Sequence, residues 1–415
     1  MVNVAVLGYG VVGSGVVEVL KKNGTSIKNR AGKEIRVKKI LDIRDFPDSP
    51  DSSLLTKDSS EVFDDPSISI IVETIGGAGI AYEFTRRALS NGKHVVTSNK
   101  ELVAKHGPEL LNLAKENDAY YLFEASVGGG IPIVRPLGQC LAANEINGIT
   151  GILNGTTNYI LTQMRKNGKD FSTALLEAQK NGYAEANPTA DIEGHDSKRK
   201  IAILSSIAYN EYVDSENIPT EGIKDISLID MDYAESMNSV IKLIATSAKC
   251  GDKIYARVAP TLVPKSHPLS NVEDVFNAIF VSGNALGDAM FYGRGAGKLP
   301  TASAVVADII DIVKHTGVNL LCVWNKPDGN NLIDPSSYKD KFFVRIKYSS
   351  SSSPEGFIEK TFKEIQAVLP HKNKVNGEIA FITPIISEKD LEDSLSSLKK
   401  EFSDLEVVNI LRILE

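Results

Sequence analysis

Residues 2–22 read VNVAVLGYGVVGSGVVEVLKK, and this stretch decides the architecture of the N-terminal third. Val2–Leu7 is a short apolar run with the length of a buried strand. Gly8-Tyr9-Gly10-Val11-Val12-Gly13 follows with no spacer, and residues 14–22 then show helical apolar spacing that ends near Asn23-Gly24. A bare G-x-G-x-x-G is a weak signal. Strand, motif and helix in that order are specific to a dinucleotide site. Gly8 permits the tight turn, Gly10 lets the backbone approach a pyrophosphate, and Gly13 lets helix and strand pack closely. The helix N-terminus offers its unpaired N–H groups and positive dipole end to the phosphates. The chain therefore reads as α/β, opening with a Rossmann-type dinucleotide-binding domain.

The pattern continues outward. Ile35–Leu41 is a second strand and ends in Asp42-Ile43-Arg44-Asp45. An acidic residue at this strand end takes the ribose 2′-hydroxyl of NAD, whereas an arginine nearby accommodates the 2′-phosphate of NADP. Both types stand here, so the residues alone leave the preference open, and a plain charged turn is the bland alternative. Ile68–Glu73 is a third buried strand, closed by Thr74-Ile75-Gly76-Gly77, and a helix follows over residues 81–90. His94–Thr97 forms the next strand and runs into Ser98-Asn99-Lys100. Ligands of open parallel sheets sit beyond the carboxyl ends of the strands, so Lys100 is expected to face the cofactor crevice. Residues 120–123 make another strand, before Glu124-Ala125-Ser126-Val127-Gly128-Gly129-Gly130-Ile131-Pro132. Three consecutive glycines there permit a tight corner or a close backbone approach.

Composition bounds the alternatives. A chain of 415 residues has room for two or three domains. Its net charge of −7 argues against a general nucleic-acid binder. No apolar run approaches the roughly 18 residues of a membrane span. The first strand starts at Val2, which leaves no room for a signal or transit peptide, so a cytoplasmic location is expected. Cys140, Cys250 and Cys322 are far apart and odd in number, fitting neither a disulfide framework nor a zinc motif. They are expected to be buried thiols in a reducing compartment. The histidines are scattered and lack transition-metal spacing.

Residues 178–200, AQKNGYAEANPTADIEGHDSKRK, concentrate Glu185, Asp191, Glu193, Asp196 and Lys200 in a segment broken by Gly182, Pro188 and Gly194. Such a run cannot be one continuous helix. It reads as a shaped loop feeding a helix from about Asp196 onward. Asp196 and Lys200 share a face of that helix. A lone pair of this kind is usually a solvated surface pair. Several carboxylates and an amine together suit a substrate that carries its own charges and needs a proton. Upstream, Asn154-Gly155-Thr156-Thr157-Asn158 reads as a turn and N-cap before a helix over 160–166. Residues 215–290 are mixed and carry no chemical motif. Gly293-Arg294-Gly295-Ala296-Gly297 precede a helix over 303–314, either as a second phosphate-facing nest or as a plain loop.

These residues resemble the homoserine dehydrogenases. Ala178, Gly182-Tyr183-Ala184, Asn187-Pro188, Asp191, Gly194-His195-Asp196 and Lys200 fill that family's signature in order, and the resemblance spans almost the whole chain. It implies reversible NAD(P)H-dependent reduction of L-aspartate 4-semialdehyde to L-homoserine, in threonine, methionine and isoleucine biosynthesis. It implies contacts to NAD or NADP at Gly8, Tyr9, Gly10, Val11, Val12, Gly13, Arg44, Thr74, Ser98, Lys100, Gly182 and Gly297, with Arg44 leaning towards NADP. Glu185, Asp191, Asp196, Thr156 and Tyr183 would bind the substrate. Hydride transfer to an aldehyde leaves negative charge on oxygen, so a proton donor must be within reach. Lysine serves when burial or nearby cations lower its pKa. Lys200 is the implied donor and acceptor, with Lys100 assisting. A sodium ion held largely by main-chain carbonyls is implied at Glu124, Val127, Gly129 and Ile131. Ser98 departs from the small apolar residue common in the family, and His195 fills a variable slot.

The implied domains are 1–133 for the dinucleotide, with 298–322 returning to it, and 134–297 for an α+β substrate-binding and dimerisation domain. A homodimer or homotetramer is expected. No kinase-sized segment precedes Met1, so fusion to an aspartate kinase is not expected. Two rival readings remain. One keeps the fold but takes another amino- or hydroxy-aldehyde. The other is a non-catalytic dinucleotide and amino-acid sensor, against which the intact Lys100, Glu185, Asp196 and Lys200 argue.

Beyond Trp324 the composition shifts, and 323–340 reads as a linker. Strands over 342–348, Glu378–Ile382 and 406–414, helices over 357–368 and 388–402, and a further strand near 372–375 would give the ferredoxin-like order β-α-β-β-α-β. Residues 341–415 resemble an ACT domain, which implies pairing and an amino-acid effector, threonine, at the first strand–helix loop. That loop normally reads Asp-x-Pro-Gly. Here it is Ser352-Ser353-Pro354-Glu355-Gly356, and Pro384 stands where a histidine is common. Effector binding and a purely oligomerising role both remain open.

Overall fold

The computed structural model describes residues 1–315, 324–349, 353–368 and 377–414. Cys322, Ser352 and the strand expected near 372–375 lie outside the described residues. Two compact units divide the chain. One comprises Met1–Ile149, Arg199–Glu216 and Ile279–Asn330; the other comprises Thr150–Lys198, Asn217–Ala278 and Asn331–Glu415.

The first unit is built on a six-stranded parallel sheet. Its strands lie in the order Leu55–Thr56, Ile35–Leu41, Val2–Leu7, Ile68–Glu73, His94–Thr97, Tyr121–Leu122. Numbered along the chain this is 3-2-1-4-5-6, the strand order of a dinucleotide-binding sheet whose switch point lies beside the first strand. The central strands are near-continuous runs of buried Val and Ile, as expected where helices cover both faces. Helix Val11–Lys22 turns Val16, Val17 and Leu20 inward, and helix Lys298–Lys314 adds Val305, Ile309 and Ile312 to the same core. Each such side chain contributes about 1.5–3 kcal/mol on burial. The two helices approach closely: a Cβ on Gly15 would lie 2.8 Å from the Lys298 carbonyl oxygen and 3.1 Å from Ala302 Cβ. The latter helix starts five residues before its expected position at 303, because Pro300 falls in the first turn, where a missing N–H costs nothing.

The second unit carries helices Gly155–Asn167 and Phe171–Lys180 and the ribbon Ser239–Cys250/Lys253–Pro264, paired antiparallel over its full length. In its C-terminal part the strands lie in the order Glu406–Ile413, Phe342–Lys347, Glu378–Ile382, Gln366–Val368, all antiparallel neighbours. Helices Glu355–Phe362 and Glu388–Glu401 complete a ferredoxin-like module around Phe342, Val344, Ile358, Phe381, Leu391 and Leu398. This module is tied to the ribbon by the parallel pairs Arg412↔Thr261 and Ile413↔Leu262.

Two expectations are corrected. The helix expected over 357–368 ends at Phe362, where Lys363 takes φ +63°, and Gln366–Val368 is instead a strand on the edge of the module. Cys140 and Cys250 are exposed rather than buried, since both stand at chain reversals: Cys140 ends a short π-turn, and Cys250 precedes the hairpin turn at Gly251.

Candidate active site

The candidate cofactor turn is set by the glycines that follow the first strand. Gly8 adopts φ +90°, and its N–H donates to the Leu41 carbonyl at 2.8 Å. A Cβ on Gly13 would lie 1.9 Å from the Gly8 carbonyl oxygen, so any side chain there would push the helix off the turn. Thr74 locks the turn from the next strand, its Oγ1 donating to the carbonyls of Leu7 at 2.9 Å and Gly8 at 3.0 Å. Helix Val11–Lys22 begins at Gly10 with no side-chain cap, which leaves its N-terminal N–H groups available for a phosphate. Tyr9 is fixed at both ends: its N–H donates to Asp42 Oδ2 at 2.7 Å, and its hydroxyl to Asp51 Oδ2 at 2.7 Å. Val11 is exposed beside it.

Asp42 and Arg44 form one group. The carboxylate accepts from Tyr9 N–H at 2.7 Å, Arg44 N–H at 2.9 Å, Arg44 Nε at 3.0 Å and Arg44 Nη2 at 2.8 Å. The Arg44 guanidinium chiefly holds this carboxyl down at about 2. A carboxylate offers about four lone-pair sites, and four donors already occupy them. Arg44 is more than half exposed, and a Cβ on Gly10 would lie 3.7 Å from its Nη2. Asp45 faces away to pair with Lys57 at 2.8 Å.

At the neighbouring strand ends, Glu73 was not singled out by the sequence reading, yet it organises the turn into Lys100. It is fully buried, accepting from Thr97 Oγ1 at 2.6 Å and Ile75 N–H at 2.7 Å. Burial raises its pKa. Thr97 Oγ1 accepts from Asn99 N–H at 2.9 Å, and the Asn99 amide donates to the Gly77 carbonyl at 2.6 Å. Asn99 then caps helix Lys100–Glu116 by accepting from Leu102 N–H. Lys100, the first residue of that helix, and Ser98 are half-buried. Glu101 pairs with Arg199 at 3.9 Å, so the residue after Lys100 meets the residue before Lys200. Gly297, at φ +127°, precedes helix Lys298–Lys314.

The glycine-rich loop after residue 123 folds tightly. Glu124 is buried, and its carboxylate accepts from the N–H groups of Ile133 at 2.6 Å, Val134 at 2.9 Å and Arg135 at 2.7 Å. Val127 and Ile131 are buried, Gly129 has φ +56°, and a Cβ on Gly128 would lie 2.4 Å from the Ile131 carbonyl oxygen. Among the described residues no group of His, Cys, Asp and Glu side chains is arranged for a metal.

The carboxylates Glu185, Asp191 and Asp196 lie in the second unit, whereas Arg199 and Lys200 belong to the first. Residues 178–200 form a loop with a single helical turn at Thr189–Ile192, then helix His195–Tyr209, one residue ahead of its expected start. Gly182 and Gly194 take φ +73° and +81°. Asn154 joins the carboxylates: its amide donates to Asp191 Oδ1 at 2.7 Å and Asp196 Oδ2 at 2.9 Å, while its Oδ1 caps helix Gly155–Asn167 through Thr157 N–H at 2.9 Å. The sequence reading saw only the cap. Thr156 Oγ1 donates to the Tyr183 carbonyl at 2.5 Å, and the half-exposed Tyr183 ring packs edge-on to Tyr159. Glu185 is exposed. Asp196 is 4% and Lys200 7% exposed, which sets this pair apart from a solvated surface pair.

The sheet order, glycine turn and uncapped helix end define a dinucleotide-binding protein of the Rossmann class. Comparisons with known proteins are specific. A family model for homoserine dehydrogenase matches residues 132–310, and one for the homoserine dehydrogenase NAD binding domain matches 8–124. The homoserine dehydrogenase of Bacillus subtilis (strain 168) is 38% identical over 417 residues, covering 98% of this chain and 96% of the relative. The crystal structure of a homoserine dehydrogenase from Thiobacillus denitrificans superposes with a TM-score of 0.90 at 35% identity, covering 100% of this chain and 98% of that one. A hyperthermophilic archaeal homoserine dehydrogenase, solved in complex with NADPH, matches with a TM-score of 0.64 at 31% identity, covering 75% of this chain and 97% of that one. The chain belongs to the homoserine dehydrogenase family. Its reaction is the reversible NAD(P)H-dependent reduction of L-aspartate 4-semialdehyde to L-homoserine, a step of amino-acid biosynthesis.

Proposed function

We propose that Lys200 delivers the proton of this reaction and that Asp191 and Asp196, with Glu185, hold the substrate ammonium. A bound nicotinamide dinucleotide supplies the hydride. As negative charge builds on the aldehyde oxygen, Lys200 Nζ gives it a proton, and it takes the proton back from the homoserine hydroxyl in reverse. Lys100 adds positive charge on the oxygen side. The observation that carries this reading is the Asn154 amide, which donates to both aspartates while Lys200 stands one helical turn after Asp196, itself buried. Thr156 and Tyr183 line the substrate end. The remaining cofactor contacts are Gly8, Tyr9, Gly10, Val11, Val12, Gly13, Thr74, Ser98, Gly182 and Gly297.

NADP is the preferred cofactor in this reading. The four donors on Asp42 leave it no site for a ribose hydroxyl, whereas exposed Arg44 can turn to a 2′-phosphate. Sodium fits the loop at Glu124, Val127, Gly129 and Ile131 through main-chain carbonyls, because the Glu124 side chain is spent on three N–H groups and hard cations take oxygen ligands. The C-terminal module acts as an ACT-like regulatory domain responding to threonine. By function, residues 1–133 and 298–322 serve the cofactor, 134–297 the substrate and dimerisation, and 341–415 regulation, a division that differs from the two compact units; the enzyme works in the cytoplasm as a homodimer or homotetramer.

Lys200→Ala tests the central assignment. It should lower kcat by about 10²–10⁴-fold while NADPH binding, followed by fluorescence, is retained. Unchanged turnover would remove Lys200 from the proton-transfer role.

A further inference from the structure

Glu221 stands between the C-terminal module and the turn that carries Asp191, all within the second unit. Its carboxylate meets two arginines. Arg412, in the last strand of the module, donates from Nη1 to Glu221 Oε2 at 3.0 Å, and Arg257, in strand Lys253–Pro264, donates from Nη1 to Oε1 at 3.2 Å. Glu388, the first residue of helix Glu388–Glu401, faces the same two arginines: it accepts from Arg412 Nε and Nη2 at 3.0 and 2.8 Å and pairs with Arg257 Nη2 at 2.6 Å. Two cations and two anions thus alternate in a closed ring. Arg412 is 8% and Arg257 3% exposed, and losing one partner of a buried ion pair is costly. Glu221 is the open member of the ring, its side chain nearly half exposed.

The backbone around Glu221 is packed against the substrate turn. The Glu221 N–H donates to the Val258 carbonyl at 2.8 Å, which fixes this segment along the ribbon, and the Ile223 N–H donates to the Ile192 carbonyl at 2.9 Å. A Cβ on Gly222 would lie 2.4 Å from that carbonyl oxygen and 2.8 Å from Glu193 Cα. One on Gly194 would lie 2.9 Å from Thr220 Cγ2 and 3.4 Å from the Glu221 carbonyl oxygen. Both glycines permit a close approach that a side chain would block. Close-packed contacts transmit strain, so a shift of residues 220–223 moves residues 192–194 with it. Asp191 precedes that stretch and Asp196 follows it, and the Asn154 amide holds both.

We propose that Glu221 is a positioning residue for the reaction: its pairing with Arg412 and Arg257 holds the 191–194 turn where Asp191 and Asp196 meet the substrate ammonium. The inference rests on the substrate-binding role proposed for those aspartates. Arg412 and Glu388 belong to the C-terminal module, so the same contact carries a movement of that module to the substrate turn.

The test is steady-state kinetics with NADPH and aspartate semialdehyde, beside thermal melts, on Glu221→Ala, Glu221→Gln, Arg412→Lys and the double variant Glu221→Ala/Arg412→Lys, with Asp191→Asn as reference. A group that holds the ammonium alike in ground and transition states changes KM rather than kcat. Displacement of such a group by about 1 Å costs roughly 100-fold, so Glu221→Ala should raise KM for aspartate semialdehyde about ten- to hundredfold and leave KM for NADPH unchanged. Glu221→Gln keeps one acceptor oxygen and should recover part of that loss. Residues acting through one linkage are not additive, so the double variant should show no further rise over Glu221→Ala. A merely structural role would lower Tm and leave both KM values alone. Should Arg412→Lys fail to fold, the two Glu221 variants decide. Unchanged KM for aspartate semialdehyde in Glu221→Ala overturns the inference: it falls alone if Asp191→Asn raises that KM, and together with the substrate-binding assignment if Asp191→Asn does not. Equal rises in KM for both substrates, or additive effects in the double variant, would also overturn it.

Discussion

Asn154→Ala removes the amide that joins Asp191 to Asp196, and its cost follows from the bonds lost. The N-cap on Thr157 N–H contributes about 1 kcal/mol. The bond to Asp196 is charge-assisted and almost fully buried, so its loss costs about 1.5–3 kcal/mol. Asp191 is half-buried and can regain water, which limits its share to about 1 kcal/mol. The total is about 3.5–5 kcal/mol, or a fall in Tm of roughly 7–20 °C for a unit of this size. Activity should fall further than stability explains. Displacing a substrate-holding group by about 1 Å costs roughly 100-fold, so kcat/KM for aspartate semialdehyde should drop by about that factor with KM for NADPH unchanged. Asp170→Ala is the control: Asp170 caps the next helix through Thr173 N–H at 2.7 Å and is exposed, so it loses the cap alone. It should cost about 1 kcal/mol and leave turnover intact. Thermal melts and steady-state kinetics on the three proteins decide the matter. If Asn154→Ala melts beside Asp170→Ala and keeps its kcat/KM, the amide does not organise the carboxylates and the substrate-binding role built on it is wrong.

Other perturbations separate the remaining assignments. Arg44→Ala should raise KM for NADPH about tenfold or more and leave KM for NADH little changed; an equal effect on both cofactors would remove the 2′-phosphate contact. The Asp42 carboxyl is depressed to about 2, so any stability from its pairing is present above its ordinary value near 3.8 and is lost only as pH falls through about 2. Arg44→Ala should therefore narrow the acid side of the stability profile and not its neutral range, as acid titration followed by circular dichroism would record. Lys242 is buried, with its Nζ donating to Asn158 Oδ1 at 2.9 Å and to the Val272 carbonyl, and burial lowers its pKa from 10.5 to about 7. Between those values the unfolded chain holds the extra proton, so stability gains a component that rises with pH from about 7 to 10.5. Lys242→Met should abolish that rise; urea midpoints with the same pH slope in both proteins would refute it.

Legibility in the sequence tracked the range of the interactions. The dinucleotide turn was readable because its causes are local: Gly8 needs a positive φ, and Gly13 has no room for a Cβ. The charged residues of 178–200 were visible as a set, but their arrangement depends on Asn154, which is 37 residues from Asp191 and 42 from Asp196. Glu73 was hidden for the same reason, since its partner Thr97 is on another strand. In the C-terminal module, residues 357–368 look like one helix, and a three-residue stretch such as Gln366–Val368 fits a strand equally well. Only pairing with Glu378–Ile382 decides it. Residues 239–264 carry no motif because their content is a long two-stranded pairing, a non-local property.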